Sequence, residues 1–159
     1  MKRHIDRIKD AVYGRGYVYS LHYHIVWCTK YRRPCFTTKE LADEMKDILS
    51  RIADRDDIDI QEMEVMPDHI HILCSFKPKY SITNVVKDLK GSSGRLFFQL
   101  HPEIRDSSFW GGRLWAPSYY VGSVGNMSKD TIKRYIQNQY DGLGGDGSPK
   151  RQTGNSSRQ

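Results

Sequence analysis

Apolar and polar residues alternate over residues 17–28, YVYSLHYHIVWC, and this two-residue period predicts the first β-strand. A helical period follows. Thr37 or Thr38 is in position to cap a helix whose apolar side is formed by residues three or four apart in the sequence. These residues are Leu41, Met45, Ile48, Leu49 and Ile52. The first third of the chain is therefore predicted to form a strand and an amphipathic helix.

Two further strands are predicted at residues 58–66 and 69–76, IDIQEMEVM and HIHILCSF. Pro67 and Asp68 stand between them, which is typical of a short hairpin connection. Ser81 is placed to cap a second helix with a regular apolar side. This helix can continue through the glycine pair of residues 91–94, although glycine weakens a helix interior.

A loop rich in Gly and Trp spans residues 109–117, a short strand is predicted at residues 118–124, and Ser128 caps a final helix. The resulting order is strand, helix, strand, strand, helix, strand, helix, which is typical of a split βαβ unit. We therefore predict an α+β fold of the ferredoxin-like or RRM-like kind. It has a four-stranded antiparallel sheet, two helices on one face, an open face, and a C-terminal helix.

The composition of the chain indicates the number of domains and their bounds. The 159 residues carry 25 Lys and Arg against 19 Asp and Glu, and one domain is expected. Residues 1–16 are charged and residues 141–159 are rich in glycine, so we expect a flexible N-terminal segment and a disordered tail around a domain at residues 17–140. No apolar run is long enough for a membrane span or a secretory signal, which predicts a cytoplasmic protein without a membrane partner.

The three cysteines, Cys28, Cys35 and Cys74, are spaced irregularly and form no C-x-x-C motif. This spacing disfavours both a disulfide framework and a four-cysteine zinc module. We expect buried free thiols. The net charge of +6 permits a polyanionic partner without identifying one.

Two histidine pairs are candidate metal ligands. His69 and His71 are two residues apart on a predicted strand, so their side chains share one face, and Cys74 belongs to the opposite face. His22 and His24 have the same spacing on the first strand. Spacing alone ranks neither pair, and a four-histidine site would form if the two strands were neighbours facing the same way. The alternative interpretation is two ordinary polar histidines at a strand end, since an H-x-H pair is a common accident.

Tyr135 and Gln139 are four residues apart and lie on one face of the predicted final helix. A tyrosine hydroxyl is a poor nucleophile unless its target is strongly polarised, as a metal ion would polarise a phosphate. The Gln139 carbonyl oxygen could serve as a neutral third ligand. The same spacing also fits an ordinary helix that packs one side against the domain.

Basic residues cluster beside aromatic residues, a combination suited to unpaired nucleic acid. Each cluster alone is more often an ordinary solvated surface, and it is their coincidence with an open sheet face and a possible nucleophile that favours nucleic acid. The candidate DNA-binding residues are Lys30, Arg32, Arg33, Lys87, Lys90, Arg95 and Lys133.

Five segments together resemble the single-tyrosine HUH transposases of the smallest bacterial and archaeal insertion sequences. The segments are YHIVWCTKYRRP (23–34), EVMPDHIHILC (64–74), LKGSSGRL (89–96), LWAPSYYVGSVG (114–125) and IKRYIQNQ (132–139). They cover nearly all of the predicted domain in the family's order. The combination of M-P-D-H-I-H with a later Y-I-x-N-Q is highly specific.

The resemblance implies that His69 and His71 bind a divalent metal ion, Mg²⁺ or Mn²⁺, and that Gln139 completes its coordination. His24 falls in a strand segment to which the family assigns no metal ligand. Tyr135 is implied to be the nucleophile that nicks single-stranded DNA and holds it as a 5′-phosphotyrosine before rejoining, so that the C-terminal helix carries the nucleophile.

The implied partners are single-stranded DNA with subterminal hairpins and a second copy of the chain, with no nucleotide cofactor. The enzyme would associate with the nucleoid when acting. Two alternatives stay open: a domesticated relative that processes chromosomal repeats, and a non-catalytic module that binds single-stranded nucleic acid. The RNP-type aromatic motif expected of the second alternative is missing from the sequence.

Overall fold

The computed structural model describes residues 12–15, 17–19, 21–123 and 136–137 of the chain. Their helices and strands follow the predicted order, with a short 3-10 turn at Lys30–Arg32. The elements are β1 (Val12–Gly14), β2 (Tyr17–Tyr19), β3 (His22–Cys28), α1 (Lys39–Arg55), β4 (Ile58–Val65), β5 (His69–Phe76), α2 (Ile82–Leu100), α3 (Pro102–Ser108) and β6 (Tyr120–Ser123).

Four strands form one antiparallel sheet in the order β4-β5-β3-β6. The first and third strands of the split βαβ unit, β3 and β5, are therefore central neighbours. This arrangement confirms the predicted fold class. Residues 136–137 are helical, and the rest of the predicted C-terminal helix lies outside the described residues.

The predicted first strand, residues 17–28, is divided between two sheets. Within the described part of the chain, strand β2 pairs with β1 in a small hairpin, whereas β3 joins the main sheet. Alternation predicts an extended backbone but carries no information on which strand becomes the partner. Strand β1 also shows that part of the N-terminal segment expected to be flexible is paired.

The helices bury one face of the sheet. Ile70, Ile72 and Cys74 of β5 are fully buried and belong to the same core cluster as Met45 of α1 and Leu89 of α2. These residues occupy the alternate positions that the two-residue period predicts. The two histidines of β5 consequently lie on the face away from α1 and α2.

The predicted helix starts are confirmed by their caps. The Thr38 hydroxyl accepts a hydrogen bond from the Leu41 backbone N–H at 3.2 Å, and the Ser81 hydroxyl accepts one from the Asn84 N–H at 3.1 Å. Each cap satisfies a backbone donor that the first helical turn leaves unpaired. The short helix α3, with Pro102 in its first turn, was not predicted.

Small residues let the aromatic loop pack against the middle of α2, which runs unbroken through its glycine pair. A Cβ atom at Gly94 would lie 3.3 Å from Trp115 Cδ1, which is tighter than an ordinary contact. Beside it, the buried Ser93 hydroxyl accepts a hydrogen bond from Trp115 Nε1 at 3.0 Å. Close approach of the Trp115 ring therefore accounts for a glycine inside the helix.

Over the residues described, we find no helix both long and apolar enough to span a membrane.

Candidate functional site

His69 and His71 lie on one face of β5, and both are partly exposed. In the sheet register, His71 stands opposite Val26 and His69 stands opposite Cys28. Cys74 is fully buried on the opposite face, as predicted, so this strand cannot bring its thiol to the two imidazoles. Val26 and Cys28 are also inaccessible to solvent, which shows that the histidine face is covered at this end.

Asp68 holds His69 in place. His69 Nδ1 lies 2.8 Å from Asp68 Oδ1, while Asp68 Oδ2 accepts hydrogen bonds from Arg32 Nε and Nη2, each at 2.9 Å. Burial alone would raise the pKa of Asp68, but the bonds from His69 and Arg32 hold that pKa below its usual value. An ionised Asp68 accepts a hydrogen bond from the Nδ1–H of His69, which leaves His69 Nε2 as the nitrogen available to a metal ion.

Asp68 was not identified as a site residue from the sequence. The available signal is its position, a carboxylate in the hairpin turn directly before the first histidine of the pair. A carboxylate beside a ligating histidine is a frequent arrangement in metal sites, because it fixes the orientation and tautomer of the ring.

Arg32 connects three distant parts of the chain. Besides its two bonds to Asp68, its Nη1 donates to the Ile136 carbonyl oxygen at 3.2 Å, across 104 residues of sequence. Its side chain is only 19% exposed, so this predicted DNA-binding residue lies inside the site. Tyr135, the residue before Ile136, lies outside the described residues, as do Gln139 and Lys133.

His24 lies against His71. His24 Nδ1 is 2.8 Å from His71 Nε2, and the two rings stack with centroids 5.0 Å apart. Burial lowers the pKa of His71, and the neighbouring His24 lowers it further. His71 is therefore neutral at physiological pH, which is the form that binds metals. The sequence left open whether the two histidine strands are neighbours, and the register shows that they are.

His69 and His71 do not form a complete metal site with the other side chains that the structure describes. Over residues 12–15, 17–19, 21–123 and 136–137, no group of three or more His, Cys, Asp or Glu side chains is arranged to hold a metal ion. A metal bound by His69 and His71 needs another protein ligand or water molecules. The predicted third ligand, Gln139, is an amide outside that range.

Lys90 is used within the fold. Its Nζ donates to the Ala116 carbonyl at 2.7 Å and to the Ser118 carbonyl at 3.1 Å, and burial lowers the pKa of this ammonium to about 8. These bonds tie α2 to the chain segment before β6. We therefore leave Lys90 out of the DNA-binding surface that its sequence position suggested.

The other described basic candidates lie in two places. Lys87 and Arg95 are exposed on α2, where a polyanion could reach them. Lys30 begins the 3-10 turn and Arg33 follows it, beside the exposed Trp110. Arg33 Nη1 donates to the Ser108 carbonyl oxygen at 2.8 Å. The second group adjoins Arg32 and thus the histidine site.

The sequence of the chain is similar to those of known proteins along most of its length. Residues 17–139 match the family described as "Transposase IS200 like". The chain is 45% identical over 128 residues to the ISDra2 transposase TnpA of Deinococcus radiodurans, covering 80% of this chain and 90% of that protein. It is 32% identical over 122 residues to the IS200 transposase of Salmonella typhimurium, covering 76% and 78% of the two chains.

A solved structure of a similar protein has the same fold. The crystal structure of a protein from Deinococcus radiodurans R1 superimposes with a TM-score of 0.75 at 43% identity. The match covers 81% of this chain and 98% of the other. The four-stranded sheet with its helices is therefore shared by both proteins.

Proposed function

This chain belongs to the IS200-like transposase family, whose name implies DNA strand transfer, and we propose that it nicks and rejoins single-stranded DNA through Tyr135. The scissile phosphate would lie between Tyr135 and the pair of His69 and His71. The product of the first step would be a 5′-phosphotyrosine.

One contact carries this proposal: Arg32 Nη1 donates to the Ile136 carbonyl while the same guanidinium binds Asp68. Asp68 in turn holds His69. Tyr135 precedes Ile136 directly in the sequence, so this chain of contacts supports a nucleophile near the histidine pair. The combination of histidines and tyrosine is the one that the family resemblance implies.

The two imidazoles are donors for a divalent cation, and the family resemblance implies Mg²⁺ or Mn²⁺. His69 has its Nδ1 engaged by Asp68 and its Nε2 available. His71, whose pKa is lowered by burial, has its Nε2 2.8 Å from His24 Nδ1, so a cation would replace that contact or bind the other ring nitrogen. Gln139 would add an amide oxygen. When bound, such a cation polarises a phosphate ester and stabilises a departing alkoxide. Neutral ligands leave the cation its full charge for that purpose.

The proposed reaction of Tyr135 exchanges one phosphodiester bond for another, so it needs no external energy source. The Tyr135 oxygen forms a bond to phosphorus and the bond from phosphorus to the 3′-oxygen breaks, which releases a 3′-hydroxyl. The phosphodiester is thus replaced by another phosphodiester, now to tyrosine. A second 3′-hydroxyl can then attack this linkage and release Tyr135, so that DNA is rejoined without ATP.

The proposed partners are single-stranded DNA with hairpins near the element ends and a second copy of the chain. Lys87 and Arg95 are exposed on α2 and would contact the phosphates of a hairpin stem. We place the reaction in the cytoplasm, at the nucleoid. The basic charge of the chain is consistent with such a polyanionic partner.

The test is a covalent adduct. Wild-type protein is mixed with 3′-labelled single-stranded DNA covering the sequence that flanks the coding region, with Mn²⁺, and run on a denaturing gel. Label that moves with the protein is expected for the wild type and absent for Tyr135→Phe. Tyr140→Phe, which alters another tyrosine nearby in the sequence, is the matched control and should keep the adduct. An adduct formed by Tyr135→Phe would show that the nucleophile is another residue.

The same assay tests the histidines. His69→Ala should abolish the adduct while hairpin binding in a native gel persists, because phosphate contacts lie elsewhere. If His69→Ala forms the adduct at the wild-type rate, whether or not EDTA is present, the proposed metal role is wrong.

A further inference from the structure

Two aromatic side chains stand exposed beside the histidine site. Trp110 is 67% exposed and Tyr31 is 45% exposed, and their ring centroids lie 6.4 Å apart. They line an open cleft of about 390 Å³ together with Arg32, Arg33 and Pro34. Large aromatic side chains are usually buried, so two exposed neighbours in one cleft point to a ligand.

The backbone that carries these two rings has an unusual conformation. Tyr31 has φ 58°, Arg32 has φ 50° and Trp110 has φ 49°, in the left-handed region that residues with a side chain rarely occupy. The hydrogen bond from the Lys30 N–H to the Leu114 carbonyl, at 2.7 Å, ties the two loops together. Backbone strain of this kind persists where the surrounding structure maintains it, and it concentrates at functional sites.

A positively charged side chain lies close to each of the two rings. The Arg33 guanidinium carbon lies 3.5 Å from the centroid of the Trp110 ring, and Lys30 Nζ lies 5.3 Å from that of Tyr31. An aromatic face with adjacent positive charge suits an unpaired nucleotide, because the base stacks on the ring while its phosphate meets the cation. Since each base has a flat face, such a site binds single strands with little preference for sequence.

We propose that Tyr31 and Trp110 form a stacking site for an unpaired base of the DNA strand that reaches the histidine pair. The inference rests on the proposed function for the identity of that strand. Arg32 connects the two sites, since it lines the cleft and also binds Asp68, which holds His69. Seating a base here would orient the adjoining phosphate towards the catalytic centre.

The fluorescence of Trp110 can report binding at this site. Trp27 is 0% exposed and Trp115 is 6% exposed, so among the three tryptophans only Trp110 can meet a ligand from solvent. A short oligothymidylate, titrated into metal-free protein, should quench the emission of Trp110. An abasic oligonucleotide of the same length and charge should cause little quenching, because it has phosphates but no bases.

Affinity is then measured by fluorescence anisotropy of a labelled oligothymidylate. Trp110→Ala should weaken binding roughly tenfold, whereas Trp110→Phe, which keeps a flat ring, should lose much less. Both variants should bind the abasic strand as the wild type does. Leu100→Ala, which removes another exposed apolar side chain, at the end of α2, is the matched control and should bind like the wild type.

Two results would overturn the stacking site. One is equal binding of oligothymidylate by Trp110→Ala and the wild type. The other is a change in oligomeric state for Trp110→Ala at unchanged DNA affinity, because the aromatic pair would then be a protein interface. Either result leaves the adduct assay with Tyr135→Phe unaffected. Conversely, a persistent adduct in Tyr135→Phe would remove the proposed nucleophile while loss of binding in Trp110→Ala still established the base site.

Discussion

His24 Nδ1 lies 2.8 Å from His71 Nε2, on the neighbouring central strands β3 and β5. At this distance one nitrogen carries a proton and donates a hydrogen bond that the other accepts, since two bare lone pairs would repel each other. The contact engages the Nε2 of His71, a proposed metal ligand. His24 therefore helps to fix the ring orientation and tautomer of His71.

This contact predicts a measurable signal. In metal-free ¹⁵N-labelled protein, we expect a nitrogen–nitrogen coupling through the hydrogen bond between His24 and His71. His24→Phe should abolish it while keeping a ring in the stack. His22→Phe, on the same strand, is the matched control and should preserve it. Absence of the coupling in the wild type would mean that the two imidazoles merely stack.

Asp68→Asn should weaken Mn²⁺ binding. The substitution keeps the side-chain shape but removes the negative charge that His69 and Arg32 share. Loss of a carboxylate that orients a metal-binding histidine typically costs about 10- to 100-fold in metal affinity. Isothermal titration calorimetry measures this directly, with Asp59→Asn, an exposed change on β4, as the control. Unchanged Mn²⁺ affinity in Asp68→Asn would show that His69 needs no such support.

Ser93→Ala should destabilise the fold by about 1–3 kcal/mol, because it leaves the buried Trp115 Nε1 without an acceptor. Urea denaturation followed by circular dichroism gives the free energy of unfolding. Ser92→Ala alters the adjacent, partly exposed residue of the same helix and should stay within about 0.5 kcal/mol of the wild type. Equal effects of the two substitutions would contradict the role assigned to the Ser93 hydroxyl.

His101 predicts a pH-dependent contribution to stability. Its Nε2 lies 2.5 Å from Glu44 Oε2 and its Nδ1 lies 3.2 Å from Glu103 Oε1. Burial alone would lower the pKa of His101, but its hydrogen bonds to these glutamates outweigh burial and raise the pKa. A histidine with a raised folded-state pKa stabilises the fold fully below its unfolded-state pKa. That stabilisation is lost as the pH rises through the folded-state pKa.

Glu44→Gln should therefore lower the melting temperature more at about pH 5.5 than at about pH 9, where His101 is neutral in both states. The effect is that of a partly exposed ion pair, below about 1 kcal/mol. Thermal denaturation at both pH values measures it, with Glu40→Gln, one turn earlier in α1, as the control. A melting-temperature difference that is the same at both pH values would exclude the predicted charge on His101.

Local patterns were sufficient for most of the fold. The two helix caps, Thr38 and Ser81, and the alternation that buries Ile70, Ile72 and Cys74 involve residues close together in sequence. The buried state of the three free cysteines was also predicted correctly. The division of the first predicted strand was missed, because pairing with β1 rather than with the main sheet depends on residues that its alternation does not include.

The sequence by itself determined the class of the fold, the face on which His69 and His71 lie, and the family, because these follow from residue periods and from motifs within short segments. Tertiary structure decided which groups surround the histidines. Asp68 meets Arg32 across 36 residues and His71 meets His24 across 47, and both contacts depend on strand order and register. Lys90 shows the same limit, since its sequence position suggested DNA, whereas its surroundings in the fold give it two backbone carbonyls. A side chain's partners depend on the packing of distant segments, which no local period encodes.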